Sequence, residues 1–151
     1  MQSIIHSQTN RQNLLKQRIA PERMASINRV FLDTDFLVFC AQHNIDYMHE
    51  IHRLLNTNFS ICMLDKTLDE LEVVSCKTEK NRVAVRLAKT VLAIKKPELV
   101  LTDKSSNTDS LLLARNDVFA VCTQDKMLKT KLKIRGILII TARQGKYLAM
   151  E

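Results

Sequence analysis

The residues of this sequence best suited to chemistry are acids that lie beside short apolar segments. Asp33 directly ends the apolar run Val30–Leu32, and Asp125 follows the run Val118–Cys122. Several carboxylates held close together repel one another unless a cation neutralises them. Oxygen ligands favour Mg²⁺ or Mn²⁺ over zinc, and such ions can polarise a phosphoryl oxygen and activate water. The candidate metal-binding and catalytic residues are Asp33, Glu70, Asp109 and Asp125.

Three of the four acids also have a purely structural interpretation. Glu70 lies three residues after Thr67, which is the spacing of a capping box. Asp109 and Asp125 fall near predicted helix starts, where a negative charge suits the helix dipole. Asp33 has no such interpretation, because an unpaired carboxylate at the end of an apolar strand is costly to bury. A cation is the simplest partner for it.

The charge of the chain suggests a nucleic-acid partner. Lys and Arg total 23 against 16 Asp and Glu, which gives a net charge of +7. Basic groups bind phosphates and release counterions, although a basic soluble surface remains an alternative interpretation. Aromatic residues make up only 5% of the chain, which argues against stacking platforms for single-stranded bases. The candidate RNA-binding residues are Arg82, Arg86, Lys126, Lys129, Lys133 and Arg135.

Several classes of protein are excluded or disfavoured by composition. The chain has two glycines, so it has neither a Walker loop nor a dinucleotide-binding turn. No apolar run approaches the roughly 20 residues that span a bilayer. Met1–Asn10 lacks the apolar core of a signal peptide, so we expect an intracellular protein without a membrane partner. The four cysteines form no C-x-x-C pair, which disfavours zinc and disulfides.

The acids must be positioned by alternating strands and helices. Apolar runs predict five strands, at Val30–Leu32, Phe59–Leu64, Leu99–Leu101, Val118–Cys122 and Ile137–Ile140. Segments with helical spacing lie between them, so we expect an α/β fold with a central parallel sheet of about five strands and helices on both faces. Residues 29–151 form this domain, and residues 1–28 form a basic arm with a short helix at about 13–19.

The order of these motifs resembles the PIN-domain nucleases. The segments that carry the resemblance, within Arg29–Tyr147, are VFLDTDF, LDKTLDELE, SNTDSLLLAR, VCTQDKMLKTKLK and ILIITARQGKY. They are most similar to the small-subunit processome endonucleases and their archaeal relatives. The resemblance implies a PIN-like three-layer sandwich and a metal site at the four acids, supported by Thr34, Asp35 and Thr123.

The resemblance also implies a function. It indicates an Mg²⁺- or Mn²⁺-dependent endoribonuclease that cleaves precursor ribosomal RNA during small-subunit maturation, with RNA and ribosome-assembly factors as partners. Such a protein would act in the nucleolus of a eukaryote or in the cytoplasm of an archaeon. Two positions depart from the family pattern: Asp35 replaces an Asn in the first motif, and Ser110 replaces a second acid after Asp109.

Two other functions remain open at the level of sequence. The Ser110 departure fits a catalytically weak PIN fold that binds RNA or assists assembly without cleaving. Asp33-Thr34-Asp35 also fits the D-x-D motif of haloacid dehalogenase-type phosphohydrolases, although Leu37 stands where that family has Thr or Val and a late acidic motif is missing.

Overall fold

The computed structural model describes residues 27–151, so the predicted helix at about 13–19 and most of the basic arm lie outside the described residues. The described residues form six strands and six helices. The strands are β1 (Asn28–Leu32), β2 (Phe59–Leu64), β3 (Glu98–Val100), β4 (Val118–Cys122), β5 (Leu138–Arg143) and β6 (Tyr147–Met150). The helices are α1 (Thr34–His43), α2 (Tyr47–Leu54), α3 (Asp65–Ser75), α4 (Glu79–Lys95), α5 (Thr108–Leu113) and α6 (Lys126–Ile134).

The six strands form one sheet in the order β3-β2-β1-β4-β5-β6. The first five strands in this order pair in parallel, and β6 pairs antiparallel with β5 at one edge. The chain moves outward from β1 to β2 and β3, then returns to add β4 on the other side of β1. The strand order therefore reverses between β1 and β4, and ligands of open parallel sheets bind beside such a reversal.

Alternating side chains divide the interior into two cores. On β1, Val30 and Leu32 pack into the larger core beneath α1, α2, α3 and α4, whereas Phe31 packs into the smaller core. Leu112 of α5 and Leu128 of α6 belong to the smaller core. Successive strand residues point to opposite faces, so each of these buried strands must be apolar on both sides. The predicted three layers are confirmed.

The structure corrects the prediction in two places. The sheet has a sixth strand, β6, which is short and was not predicted.

Helix α1 was also missed, although it begins immediately after Asp33. Its residues Phe36, Leu37 and Val38 are consecutive and all buried, because the helix lies between the sheet and its neighbouring helices. A helix buried on most sides lacks the apolar stripe that reveals a surface helix in sequence.

The helix ends follow the sequence more closely. Gly136 adopts a positive φ of 69° directly after the last turn of α6, a position where glycine is common because it has no Cβ. Helix α4 ends at Lys95, and Lys96 turns into the left-handed region before Pro97. No helix among residues 27–151 has the length and hydropathy needed to cross a membrane.

We predict that Leu71→Ala lowers the free energy of unfolding by about 2–5 kcal/mol, because Leu71 of α3 is fully buried in the larger core and its removal leaves a cavity. Urea denaturation monitored by circular dichroism measures this change. The matched control is Ile94→Ala on α4, where the side chain is 70% exposed and the expected change is below about 0.5 kcal/mol. Equal effects of the two substitutions would contradict the assignment of the core.

Candidate active site

The candidate site lies at the carboxyl ends of β1 and β4, where the strand order reverses. β1 leads directly into Asp33, and β4 leads into the segment Thr123-Gln124-Asp125. The two segments are joined by a hydrogen bond of 3.0 Å from the Asp33 backbone N–H to the carbonyl oxygen of Cys122. The sheet topology therefore brings together two acidic segments that are about ninety positions apart in sequence.

Asp33 is the buried centre of the site. Its side chain is only 6% exposed, and its Oδ2 accepts a hydrogen bond of 2.8 Å from the Thr123 hydroxyl. Burial, and after it the negative charge of Asp35, raises the pKa of Asp33 to about 8, against the lowering effect of the hydrogen bond from Thr123. The carboxylate is thus held in a position where its charged form is unfavourable without a cation.

Thr123 and Gln124 fix the loop that faces Asp33. Thr123 is fully buried, and its hydroxyl also accepts a hydrogen bond from the Asp125 backbone N–H. The Gln124 backbone N–H donates to Asp35 Oδ1 at 3.3 Å. The Gln124 side chain accepts hydrogen bonds from Thr141 Oγ1 and the Ala142 N–H, and donates to the Ala142 carbonyl. The loop is therefore attached to β5 as well as to α1.

Glu70 reaches the site from α3. The Thr34 hydroxyl, at the first position of α1, donates a 2.9 Å hydrogen bond to Glu70 Oε2. The capping-box interpretation of Thr67 and Glu70 is wrong, because α3 begins at Asp65 and Thr67 lies inside the helix, buried. Without a backbone amide to cap, the Glu70 carboxylate is directed to the cleft by Thr34.

Asp109 and Asp125 lie at helix starts on the other side of the site. Asp109 is in the first turn of α5, after the N-cap Asn107. Asp125 is itself the N-cap of α6, because its Oδ1 accepts from the Met127 and Leu128 N–H groups. Burial raises the pKa of Asp109, and Asp125, Glu70 and Asp35 add to this, whereas Lys131 opposes it. Because the charges of the other acids raise the pKa of Asp109, these carboxylates are close enough to repel one another.

One cleft joins all of these side chains. It has a volume of about 350 Å³. Its lining consists of Asp33, Thr34, Asp35, Val38, Phe39, Gln42, Glu70, Val74, Thr108, Asp109, Gln124 and Asp125. The structure thus brings together all four predicted acids and the supporting residues Thr34 and Asp35. Thr123 lies directly behind the lining and holds Asp33.

The donor set of the cleft suits a hard divalent cation. The cleft contains five carboxylates, and none of them is among the ion pairs formed within residues 27–151. The acids line the cleft without closing around one point, since no three His, Cys, Asp or Glu side chains in this range form a preassembled ligand group. A cation would relieve the repulsion among them and the cost of burying Asp33, and oxygen ligands favour Mg²⁺ or Mn²⁺.

The six predicted RNA-binding residues lie outside the lining of this cleft. Arg82 pairs with Glu79, whereas Lys129 and Lys133 both lie 3.7 Å from the carboxylate of Glu151. Arg135 donates to the carbonyl oxygen of Leu113. The other two, Arg86 and Lys126, are exposed, and Lys126 directly follows Asp125.

The sequence analysis missed six residues of the cleft: Val38, Phe39, Gln42, Val74, Thr108 and Gln124. Val38, Phe39 and Gln42 were missed because α1 was not predicted. Thr108 and Gln124 are each next to a predicted acid, and a hydroxyl or amide beside such an acid is the signal that could have identified them. Their contacts depend on tertiary partners, as the attachment of Gln124 to β5 illustrates.

Comparisons with known proteins agree with this geometry. A family model described as a PIN like domain matches residues 30–145. Ribonuclease VapC4 of Methanocaldococcus jannaschii is 36% identical over 126 residues, which cover 79% of this chain and 93% of that protein. The rRNA-processing protein fcf1 of Schizosaccharomyces pombe is 31% identical over 121 residues, which cover 78% of this chain and 60% of that protein.

A solved structure is also similar to this fold. The structure of the PIN domain endonuclease Utp24 superposes with a TM-score of 0.64 and is 29% identical. The similarity covers 82% of this chain and 90% of that one. The sequence and structural comparisons therefore identify the same kind of domain.

We predict that Asp33→Asn stabilises the metal-free protein, and that the gain grows as the pH rises. The pKa of Asp33 is raised from 3.8 to about 8 by folding, so the folded state binds more protons, and the wild type loses stability between about pH 4 and pH 8. Asn has no charge to bury, so the difference should exceed about 1 kcal/mol near pH 8.

Urea denaturation in EDTA at about pH 5 and about pH 8 measures this difference. The control is Asp103→Asn, since the Ser105 amide and hydroxyl lower the pKa of Asp103 and this substitution should give no gain that grows with pH. A stability difference for Asp33→Asn that is independent of pH would show that the carboxylate is not held in an unfavourable charged state.

Proposed function

Because the chain belongs to the PIN-like domain family, we propose that it is an Mg²⁺- or Mn²⁺-dependent endoribonuclease that cleaves precursor ribosomal RNA during maturation of the small ribosomal subunit. The observation that carries the proposal is the cleft at the strand reversal, which contains five carboxylates that form no ion pair with the rest of residues 27–151. The relatives add to this, since one is named a ribonuclease and another an rRNA-processing protein.

In this proposal, Asp33, Glu70, Asp109 and Asp125 hold the divalent ions. When bound, such ions neutralise developing charge on the phosphate and lower the pKa of water. The protein fixes the acids through hydroxyl groups: Thr123 orients Asp33, and Thr34 orients Glu70. Asp35 contributes a fifth carboxylate, which offsets the acid that the family pattern has in place of Ser110.

The RNA backbone would cross basic residues around the cleft. Lys126 and Arg86 are exposed and absent from the ion pairs of the described residues. Arg82 forms an exposed ion pair with Glu79, whereas Lys129 and Lys133 approach the mostly buried carboxylate of Glu151. An exposed pair contributes about 0–1 kcal/mol, so a phosphate can compete for Arg82 at little cost. Arg135 would act at the far end of α6. Lys131, which already lowers the pKa of Asp109, joins this set.

The proposal also names partners and location. Precursor ribosomal RNA is cleaved within assembling particles, so ribosome-assembly factors would be partners. The protein would then work in the nucleolus of a eukaryote or in the cytoplasm of an archaeon. These assignments depend on the family and on the names of its relatives.

We expect Asp33→Asn to reduce Mn²⁺-dependent cleavage of a single-stranded RNA oligonucleotide at least about 100-fold, because it removes the most buried charge of the site. Gel analysis of products from purified protein measures cleavage, and circular dichroism confirms that the variant is folded. The control is Glu72→Gln, an exposed acid on α3 that pairs with Lys89 and lies outside the cleft lining, and it should retain full activity. Undiminished cleavage by Asp33→Asn would refute the assignment.

A second candidate is an RNA-binding or assembly protein that kept the fold but lost cleavage, which the Ser110 departure favours. Calorimetric titration with Mn²⁺ separates the two functions. A nuclease should bind Mn²⁺ in the wild type and lose this binding in Asp33→Asn, whereas a scaffold should bind none in either. The haloacid dehalogenase-type phosphohydrolase alternative has less support, because Leu37, which replaces the Thr or Val of that family, is buried and the family match is to a PIN like domain.

A further inference from the structure

The lining of the cleft also contains an aromatic side chain. Phe39 and Gln42 of α1 line the same cleft as the five carboxylates. Phe39 is half-buried and packs against the larger core on one side, so its ring is anchored while part of it faces the cleft. No Trp, Tyr or second Phe lines this cleft among the described residues. The proposed cleavage mechanism leaves Phe39 without a role.

Helix α1 sets the spacing between the acids and this ring. Asp35 lies in the first turn of α1, and Phe39 follows four residues later, so both are on one face of the helix. Four residues rise roughly 6 Å along the helix axis. This separation is on the order of one nucleotide of an extended strand. A strand with its phosphate at the acids therefore brings a neighbouring base to Phe39.

His43 packs against the Phe39 ring. The ring centroids lie 4.1 Å apart, and the ring planes are tilted by 34°. His43 also lies against Gly145, where an added Cβ would come within 2.7 Å of His43 Nδ1. Gly145 has a φ of 63°, which disfavours side chains at that position for a second reason. The exposed His43 ring thus contacts both Phe39 and Gly145, and its contact with Phe39 restricts the movement of that ring.

The polar groups beside Phe39 suit the edge of a base. Gln42 Nε2 donates to Asn81 Oδ1 at 3.3 Å, which joins α1 to the first turn of α4. The Gln42 carbonyl oxygen and the Asn81 amide nitrogen have no hydrogen-bond partner among the described residues. Gln42 therefore offers an acceptor in the same cleft as the aromatic ring, and unstacked bases are bound by such a combination of stacking and edge contacts.

We propose that Phe39, which is contacted by His43 and lies near Gln42 in the cleft lining, forms a stacking subsite for the unpaired base next to the scissile phosphate. The inference rests on the proposed function, and it specifies the substrate at the cleft as single-stranded RNA. A base within a duplex is already stacked and paired, so it cannot reach Phe39 without being extruded. The low aromatic content of the chain argued against stacking of bases, but one of its few aromatic side chains, Phe39, lies in the cleft.

The first test measures binding without cleavage. A fluorescent single-stranded RNA oligonucleotide is titrated in EDTA with the full chain, and we expect Phe39→Leu to raise Kd about tenfold, because one stacked base is lost while apolar volume is retained. The matched control is Phe59→Leu. Phe59 is also half-buried and also contacts a histidine, His52, with ring centroids 4.7 Å apart, but it lies outside the cleft lining. An unchanged Kd for Phe39→Leu, or an equal loss for Phe59→Leu, would overturn the subsite.

The second test identifies the base. Abasic nucleotides are introduced one position at a time, and one position should weaken the wild type about tenfold but leave Phe39→Leu unaffected, because the two changes remove the same contact. Additive effects at every position would overturn the stacking contact. The same applies if a duplex of the same sequence binds as tightly and with the same sensitivity to Phe39→Leu.

Two further measurements keep the outcomes distinct. In Mn²⁺, Phe39→Leu should raise KM with little change in kcat, since the acids are intact; an equal loss in kcat would instead indicate disturbance of the acids and overturn the subsite. Because binding is read in EDTA, failure of the wild type to cleave would refute the nuclease but not the stacking contact. If Phe39→Leu fails to fold, His43→Ala replaces it, because His43 is exposed and its removal should weaken RNA binding in the same direction.

Discussion

The constraint on which this structure depends is the burial of the Asp33 carboxylate at the point where the sheet changes direction. The side chain is 6% exposed, lies close to the negative charge of Asp35, and accepts a hydrogen bond of 2.8 Å from the Thr123 hydroxyl. Burying a charge in this way costs stability unless a cation accompanies it. Proteins retain a buried carboxylate of this kind where their function requires it, even though it lowers the stability of the fold.

Helix α1 links the two halves of the cleft. Its N-cap is Asp33, its first turn carries Thr34 and Asp35, and its next turns carry Phe39 and Gln42. Because the helix is buried against the sheet and packs on α4, Asp35 and Phe39 on this helix cannot move independently. A substrate bound at Asp35 is therefore held in register with the Phe39 ring. Precise positioning of this kind supplies much of the barrier reduction in phosphoryl transfer.

The acids come from four separate elements, and three of them are placed at helix starts. Asp33 and Asp125 are N-caps, and Asp109 lies in a first turn, so the positive ends of three helices partly compensate the negative charge. The Asp125 carboxylate also forms local hydrogen bonds to backbone amides. The capping and functional interpretations of this residue are thus compatible, since one oxygen satisfies the helix and the other remains for the cleft.

The sequence by itself determined the five parallel strands, the helices on both faces, and the four acids that the cleft brings together. Continuous apolar runs and strand-end acids carry this information locally, because a buried strand must be apolar on both faces. Tertiary structure alone decided the rest. It converted the apolar stretch after Asp33 into the buried helix α1, brought Thr34 to Glu70 and Gln124 to Ala142, and directed Phe39 into the cleft. These contacts join residues distant in sequence, and a helix enclosed by its neighbours has no periodic pattern by which it can be recognised.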